Sequence, residues 1–173
     1  FAEGATTVAL GLALSLEALV REPVLLIDAN WADPALTRDA NATDRSGLTD
    51  CLRGVVALES ALQSTPLPRL SFLPAGRSSA EGAPLGLLDE LLREARRRFQ
   101  YIAVDLPPVL AAGDVVLPWI SAAERTLVVV RVGATPVSQL RRALTEIGPE
   151  RAFQLVSNRT AVQKNGFHKL GAR

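Results

Sequence analysis

The chain has 173 residues, 48% of them hydrophobic and 21% charged, with a formal net charge of +1. That is the composition of one soluble globular domain, long enough to bury about 70% of its unfolded surface. The near-neutral balance excludes a nucleic-acid reader, which needs a basic stripe, and the single cysteine, Cys51, excludes an internal disulfide or a cysteine-rich zinc site.

In chain order, Phe1-Ala2-Glu3-Gly4-Ala5-Thr6-Thr7 forms a glycine turn with two hydroxyl residues. Residues 8–20 follow as a helix, aliphatic nearly all round and so expected to pack on a sheet face. It is too short to cross a bilayer and carries Glu17. Val24-Leu25-Leu26-Ile27-Asp28 is apolar on both faces, the mark of a central strand in a parallel sheet. Ala29 to Asp44, with Pro34 and Asn41, is expected to be mostly loop. Helices are expected from Ser46-Gly47-Leu48 to Arg53 and over 55–63, then a strand from Arg69 to Leu73 with a Pro74-Ala75-Gly76 turn.

Leu85 to Arg98 has amphipathic helical spacing, and its Arg96-Arg97-Arg98 end suits the helix dipole. Glu90, Arg93 and Arg96 on the same helix give ordinary charge pairs. Tyr101 to Asp105 is a second apolar strand ending in Asp, followed by Leu106-Pro107-Pro108. A strand from Leu127 to Val132, a helix from Pro136 to Ile147 and a strand from Phe153 to Ser157 complete the pattern; nothing is assigned between Pro108 and Leu127. Repeated βα units predict an α/β fold over residues 1–173, one domain with an open, mostly parallel sheet and helices on both faces.

A glycine turn, a helix and a strand ending in Asp are the parts of a P-loop nucleotide site. In the GxxxxGK[ST] pattern, backbone amides cradle phosphates, a lysine reaches the β- and γ-phosphates, and the hydroxyl holds Mg²⁺. Gly4, Thr6 and Thr7 stand where that pattern wants them, but Ala5 stands at the lysine. The only lysines are Lys164 and Lys169, and arginine does not reproduce a compact ammonium against bridging oxygens. The strand that the pattern puts before the loop lies outside the sequence. Asp28 and Asp105 end strands expected to lie side by side, and with Thr6 they make the hard oxygen set that Mg²⁺ prefers.

On these motifs the chain resembles the cytoplasmic domains of bacterial tyrosine kinases from capsular and exopolysaccharide systems. These belong with the partitioning ATPases that carry a deviant Walker A motif. Ala2-Glu3-Gly4-Ala5-Thr6-Thr7 is similar to the family's Gly-Glu-Gly-Lys-Ser/Thr-Thr, and Leu25 to Pro34 to its Leu-Ile-Asp-Ala-Asp-x-Arg-x-Pro. Tyr101-Ile102-Ala103-Val104-Asp105-Leu106-Pro107-Pro108 is similar to its Walker B strand, and Asn158-Arg159 to the place where relatives present an asparagine to adenine.

The resemblance implies nucleotide contacts at Gly4, Ala5, Thr6, Thr7 and Asn158, metal contacts at Thr6, Asp28 and Asp105, and a weak or vestigial catalytic role for Asp28. It also implies ATP or ADP with Mg²⁺ as cofactors, a membrane polysaccharide co-polymerase or related export subunit as partner, and homo- or hetero-oligomers. The place of work is then the cytoplasmic face of the plasma membrane, reached through a partner or another segment. The departures are Ala5 for lysine, Ala2 for glycine, Asn30 for the second acid, Leu106 for a threonine, and a tail over 163–173 without tyrosine. Together they predict a degenerate domain with weak nucleotide binding and little or no catalysis. The alternatives are an active ATPase or tyrosine kinase of the same pathway, with a cation borrowed from a neighbouring subunit or from a segment before the loop, and a positioning ATPase of the partitioning type.

Overall fold

The computed structural model describes residues 4–77, 85–148 and 153–158. Helix α1 (Ala5–Leu19) leads into strand β1 (Val24–Asp28), followed by the short helices α2 (Ala35–Asp39), α3 (Leu48–Leu52) and α4 (Leu58–Ala61). Strands β2 (Gln63–Ser64) and β3 (Leu70–Leu73) precede a 3₁₀ turn over Leu85–Leu87 and helix α5 (Leu88–Arg98). Strand β4 (Tyr101–Asp105), α6 (Gly113–Ala122), β5 (Thr126–Arg131), α7 (Val137–Ile147) and β6 (Phe153–Asn158) complete the order.

β1 lies between β3 and β4, parallel to both, and β2 adds an antiparallel edge, giving the order β2-β3-β1-β4. Alternation along β1 fills two cores. Leu25 and Ile27 pack with Leu52, Leu73 and Leu92 on one face, and Val24 and Leu26 pack with Ala13, Leu36 and Phe72 on the other. Helices thus cover both faces, as the aliphatic run predicts. The expected single sheet is divided, however: β5 and β6 form a separate parallel pair, joined to α6 and α7 through Val116, Ile120 and Ile147.

Several elements depart from expectation for local reasons. The stretch expected as loop contains α2, whose buried Leu36 and Thr37 hold five residues that propensity alone does not select. The helix expected over 55–63 contracts to α4, because Gln63 and Ser64 turn away to pair with Phe72 and Ser71. Helix α6 contains Pro118, yet Val116, Trp119 and Ile120 bury one helical face. Helix α1 packs on β1 and β4 but buries only Ala13 and Glu17 among its residues. Glu17 is the surprise: its carboxylate pairs with Arg69 at 2.9 Å, and the same guanidinium donates to the Glu17 carbonyl at 2.7 Å.

Candidate functional site

The loop–helix junction has the backbone that the pattern calls for. Gly4 caps α1 with φ 89°, the left-handed region that glycine occupies without strain, and Val8 N–H donates to its carbonyl at 3.0 Å. The first amides of a helix have no acceptor within it, so this turn offers donors and the positive end of a 15-residue dipole. Ala5 and Thr7 are exposed there, and Thr6 is half-buried. Asn158, the last residue of β6, lies over this turn, so that a β-carbon on Gly4 would collide with its carboxamide. The structure therefore brings Asn158 against the loop itself.

Thr6 Oγ1 donates to Asp105 Oδ2 at 2.8 Å, tying the helix start to the end of β4. Asp28 and Asp105 are direct partners in the parallel register of β1 and β4, and both are essentially buried. The sequence reading brings these three residues together, and so does the fold. Burial pushes the Asp105 carboxyl up to about 6; the Thr6 bond opposes the rise, and the charges of Asp28 and Asp33 add to it. Burial also raises Asp28, against bonds from Thr37 and Asn30 and the charge of Arg38.

Asp28 is the more tightly held of the two acids. Its Oδ2 accepts the Thr37 hydroxyl at 2.7 Å and the Thr37 amide at 2.9 Å, and its Oδ1 accepts the Asn30 amide at 3.2 Å. Asn30, at the position of the second acid, instead caps a turn by accepting Asp33 N–H at 3.3 Å. Sequence reasoning missed Thr37 and Arg38. Arg38 is the cation whose charge reaches Asp28, but its guanidinium donates to Asp33 at 2.6 Å. No motif marks either residue; the one available signal is a hydroxyl residue a short loop after a strand-end acid.

The oxygen donors fit a small divalent cation. Two buried acids, both raised by burial and Asp105 further by the charge of Asp28, gain from a shared positive charge, and Thr6 adds a neutral oxygen. The phosphate side fits less well, because the loop supplies amides without the ammonium. From this turn a groove of about 700 Å³ runs between β4 and β5, lined by Ile102, Ala103 and Val104 on one wall and Val128, Val129 and Val130 on the other. Ala2, Glu3, Lys164, Lys169 and Arg159 lie outside the described residues.

No protein-family model matches the chain. It is similar to the tyrosine-protein kinase ptk of Acinetobacter johnsonii, 28% identical over 83% of this chain and 19% of that protein. The succinoglycan biosynthesis transport protein ExoP of Rhizobium meliloti is 29% identical over 95% of this chain and 22% of its own length. The chain thus spans about a fifth of the length of these relatives. Among solved structures, the VpsO kinase domain superposes with a TM-score of 0.80 at 29% identity, covering 92% of this chain and 80% of that one. The fold is shared more widely, with the MinD cell division protein of Aquifex aeolicus at a TM-score of 0.70 and 23% identity, over 92% of this chain and 65% of that one.

Proposed function

We propose that this chain, a homologue of the bacterial tyrosine kinases of capsule and exopolysaccharide systems, is a degenerate P-loop domain that binds nucleotide weakly and transfers no phosphate at a useful rate. The observation that carries the reading is Ala5 at the first residue of α1, beside an otherwise assembled Thr6–Asp105 pair. Mg²⁺ would be held by Thr6, Asp28 and Asp105, and would supply charge neutralisation for a polyphosphate. The chain's own contribution is the Gly4 turn, which aims amides at an anion, and the two strand ends, which hold acids at its side.

Phosphoryl transfer rests on positioned charge, and one missing stabiliser removes about 10²–10³ in rate. Asn30, spent on capping the Asp33 turn, leaves a second role unfilled. The one tyrosine, Tyr101, is half-buried at the start of β4 and packs against the core, so it offers no flexible acceptor. In this reading the domain serves an exopolysaccharide export complex through packing against a membrane co-polymerase or copies of itself, on the cytoplasmic face. None of the helices among the described residues is long and apolar enough to cross a membrane, so a partner or another segment supplies the attachment.

Calorimetry of the full-length protein with ATP and Mg²⁺ tests the reading. A missing charge-assisted contact of about 1.5–3 kcal/mol corresponds to about one to two decades of affinity. Ala5→Lys should recover that factor without restoring turnover. A submicromolar dissociation constant for the parent would sink the proposal, and steady phosphate release would favour the alternative in which a neighbouring subunit lends the cation.

A further inference from the structure

The acid that ends β1 is fastened by a residue outside every motif. Thr37 is 1% exposed, and its hydroxyl is engaged twice: it donates to Asp28 Oδ2 and accepts the Ala75 amide at 2.9 Å. The Ala75 carbonyl in turn accepts the Thr49 hydroxyl at 2.8 Å and the Thr49 amide at 3.0 Å. The Thr49 hydroxyl accepts Trp31 Nε1–H at 2.9 Å, and Trp31 stands three residues past Asp28. The bonds therefore close a ring from Asp28 through Thr37, Ala75, Thr49 and Trp31 back to the chain that carries Asp28.

Each hydroxyl in the ring donates once and accepts once, so rotation of either one breaks two bonds together. Buried bonds in series also polarise one another. The Pro74-Ala75-Gly76 turn has little room of its own: the Pro74 carbonyl accepts Leu48 N–H at 2.8 Å, and a β-carbon on Gly47 would collide with the Pro74 carbonyl and the Gly76 amide. A shift of Asp28 thus reaches the turn and α3 directly through the Thr37 hydroxyl.

We propose that Thr37 is a positioning residue that couples the acidic site to the Pro74–Gly76 turn, so that a divalent cation engaged by Asp28 and Asp105 alters the turn. By reciprocity, displacing the turn alters cation affinity. The proposal rests on the cation-binding reading given above, and the two fail separately in the following experiment.

Mg²⁺ is added, without nucleotide, to isotope-labelled full-length protein and to its Thr37→Ser and Thr37→Val variants. Nuclear magnetic resonance follows the Ala75 and Thr49 amides and the Trp31 indole, while calorimetry gives cation affinity. In the parent and in Thr37→Ser, which keeps the hydroxyl, the three signals should move with the midpoint of cation binding. In Thr37→Val, affinity should fall about five-fold or more, the lower end of ordinary coupling, and the Ala75 amide should stop following. Unchanged affinity in Thr37→Val, or an Ala75 amide that still follows, overturns the proposal. If the parent binds no Mg²⁺, the cation reading falls and Asp28→Asn tests the coupling alone. Introduced into the parent and into Thr37→Ser, that change moves the Ala75 amide if the proposal holds, and leaves it still if it does not.

Discussion

β1 and β5 are both short aliphatic runs, yet β1 is buried at every residue and β5 is half-exposed at every residue. Composition does not separate them; neighbours do. β1 has a parallel partner on each side and a core on each face, whereas among the described residues β5 pairs with β6 alone. The other edges of β4 and β5 face the same groove. Asp105, at the carboxyl end of β4, and Asn158, at the carboxyl end of β6, both meet the Gly4–Thr6 turn, so these strands point the same way. β5 thus has the sequence of a strand buried on both faces, and the described residues do not supply the neighbours that would bury it.

The comparison is most directly broken by truncating equivalent side chains. Leu25→Ala, at a position with no exposure, should cost about 2–5 kcal/mol of stability by urea denaturation. Val129→Ala in β5 should cost about 1 kcal/mol, less than Leu25→Ala, since the side chain is smaller and part of its surface already meets water. Equal costs would mean that β5 is covered in solution, and the contrast between the halves would be false.

How far the sequence reveals this arrangement depends on what fixes each element. β1 and β4 are legible because a buried parallel strand needs an unbroken apolar run, and the acids that end them stand out against it. Helices α5 and α7 are legible from their periodicity. Helix α6 is hidden by Pro107, Pro108 and Pro118, although Val116, Trp119 and Ile120 carry its spacing. Helix α2 and strand β2 are too short for local preference and are fixed by Thr37 and by the edge of β3. In the site, Gly4, Thr6, Asp28 and Asp105 come from motif spacing. Thr37 does not, because its role arises from meeting Ala75 38 positions on, which no local pattern encodes.

Asp105 stands on β4, at the border of the two halves, and its titration sharpens the comparison. Its folded value of about 6 lies above the ordinary 3.8, so between those values the folded state holds the proton more tightly than the unfolded state. Stability should therefore fall as pH rises through this window, with the cost absent below about pH 4, complete above pH 6 and at most about 3 kcal/mol. Urea denaturation at pH 5, 6 and 7, compared with Asp105→Asn, isolates this group from other carboxylates. The parent should lose stability relative to the variant as pH rises, and saturating Mg²⁺ should recover part of the loss at pH 7. A parent that gains on Asp105→Asn over the same range would show that the carboxylate is stabilised by the fold and that no charge is missing from the site.

The smallest expected effect contrasts the ion pairs of the two halves. In the β1 half, Glu17 is almost wholly buried against Arg69, a contact that ties α1 to the start of β3. In the β5 half, Arg142 and Glu146 meet at 3.6 Å one turn apart on α7, and the arginine side chain is 73% exposed. Solvent and salt screen such a pair, and holding two long side chains together costs entropy, so Arg142→Ala should change stability by about 0.5 kcal/mol or less. The change should vanish in 0.5 M salt, where screening acts within about 5 Å. A loss above about 1 kcal/mol that persists in salt would mean that α7 is held by more than the apolar contacts of Ala143 and Ile147. In that case the outer half would carry an electrostatic anchor of its own, and the half-exposed β5 would no longer mark it as the weaker part of the fold.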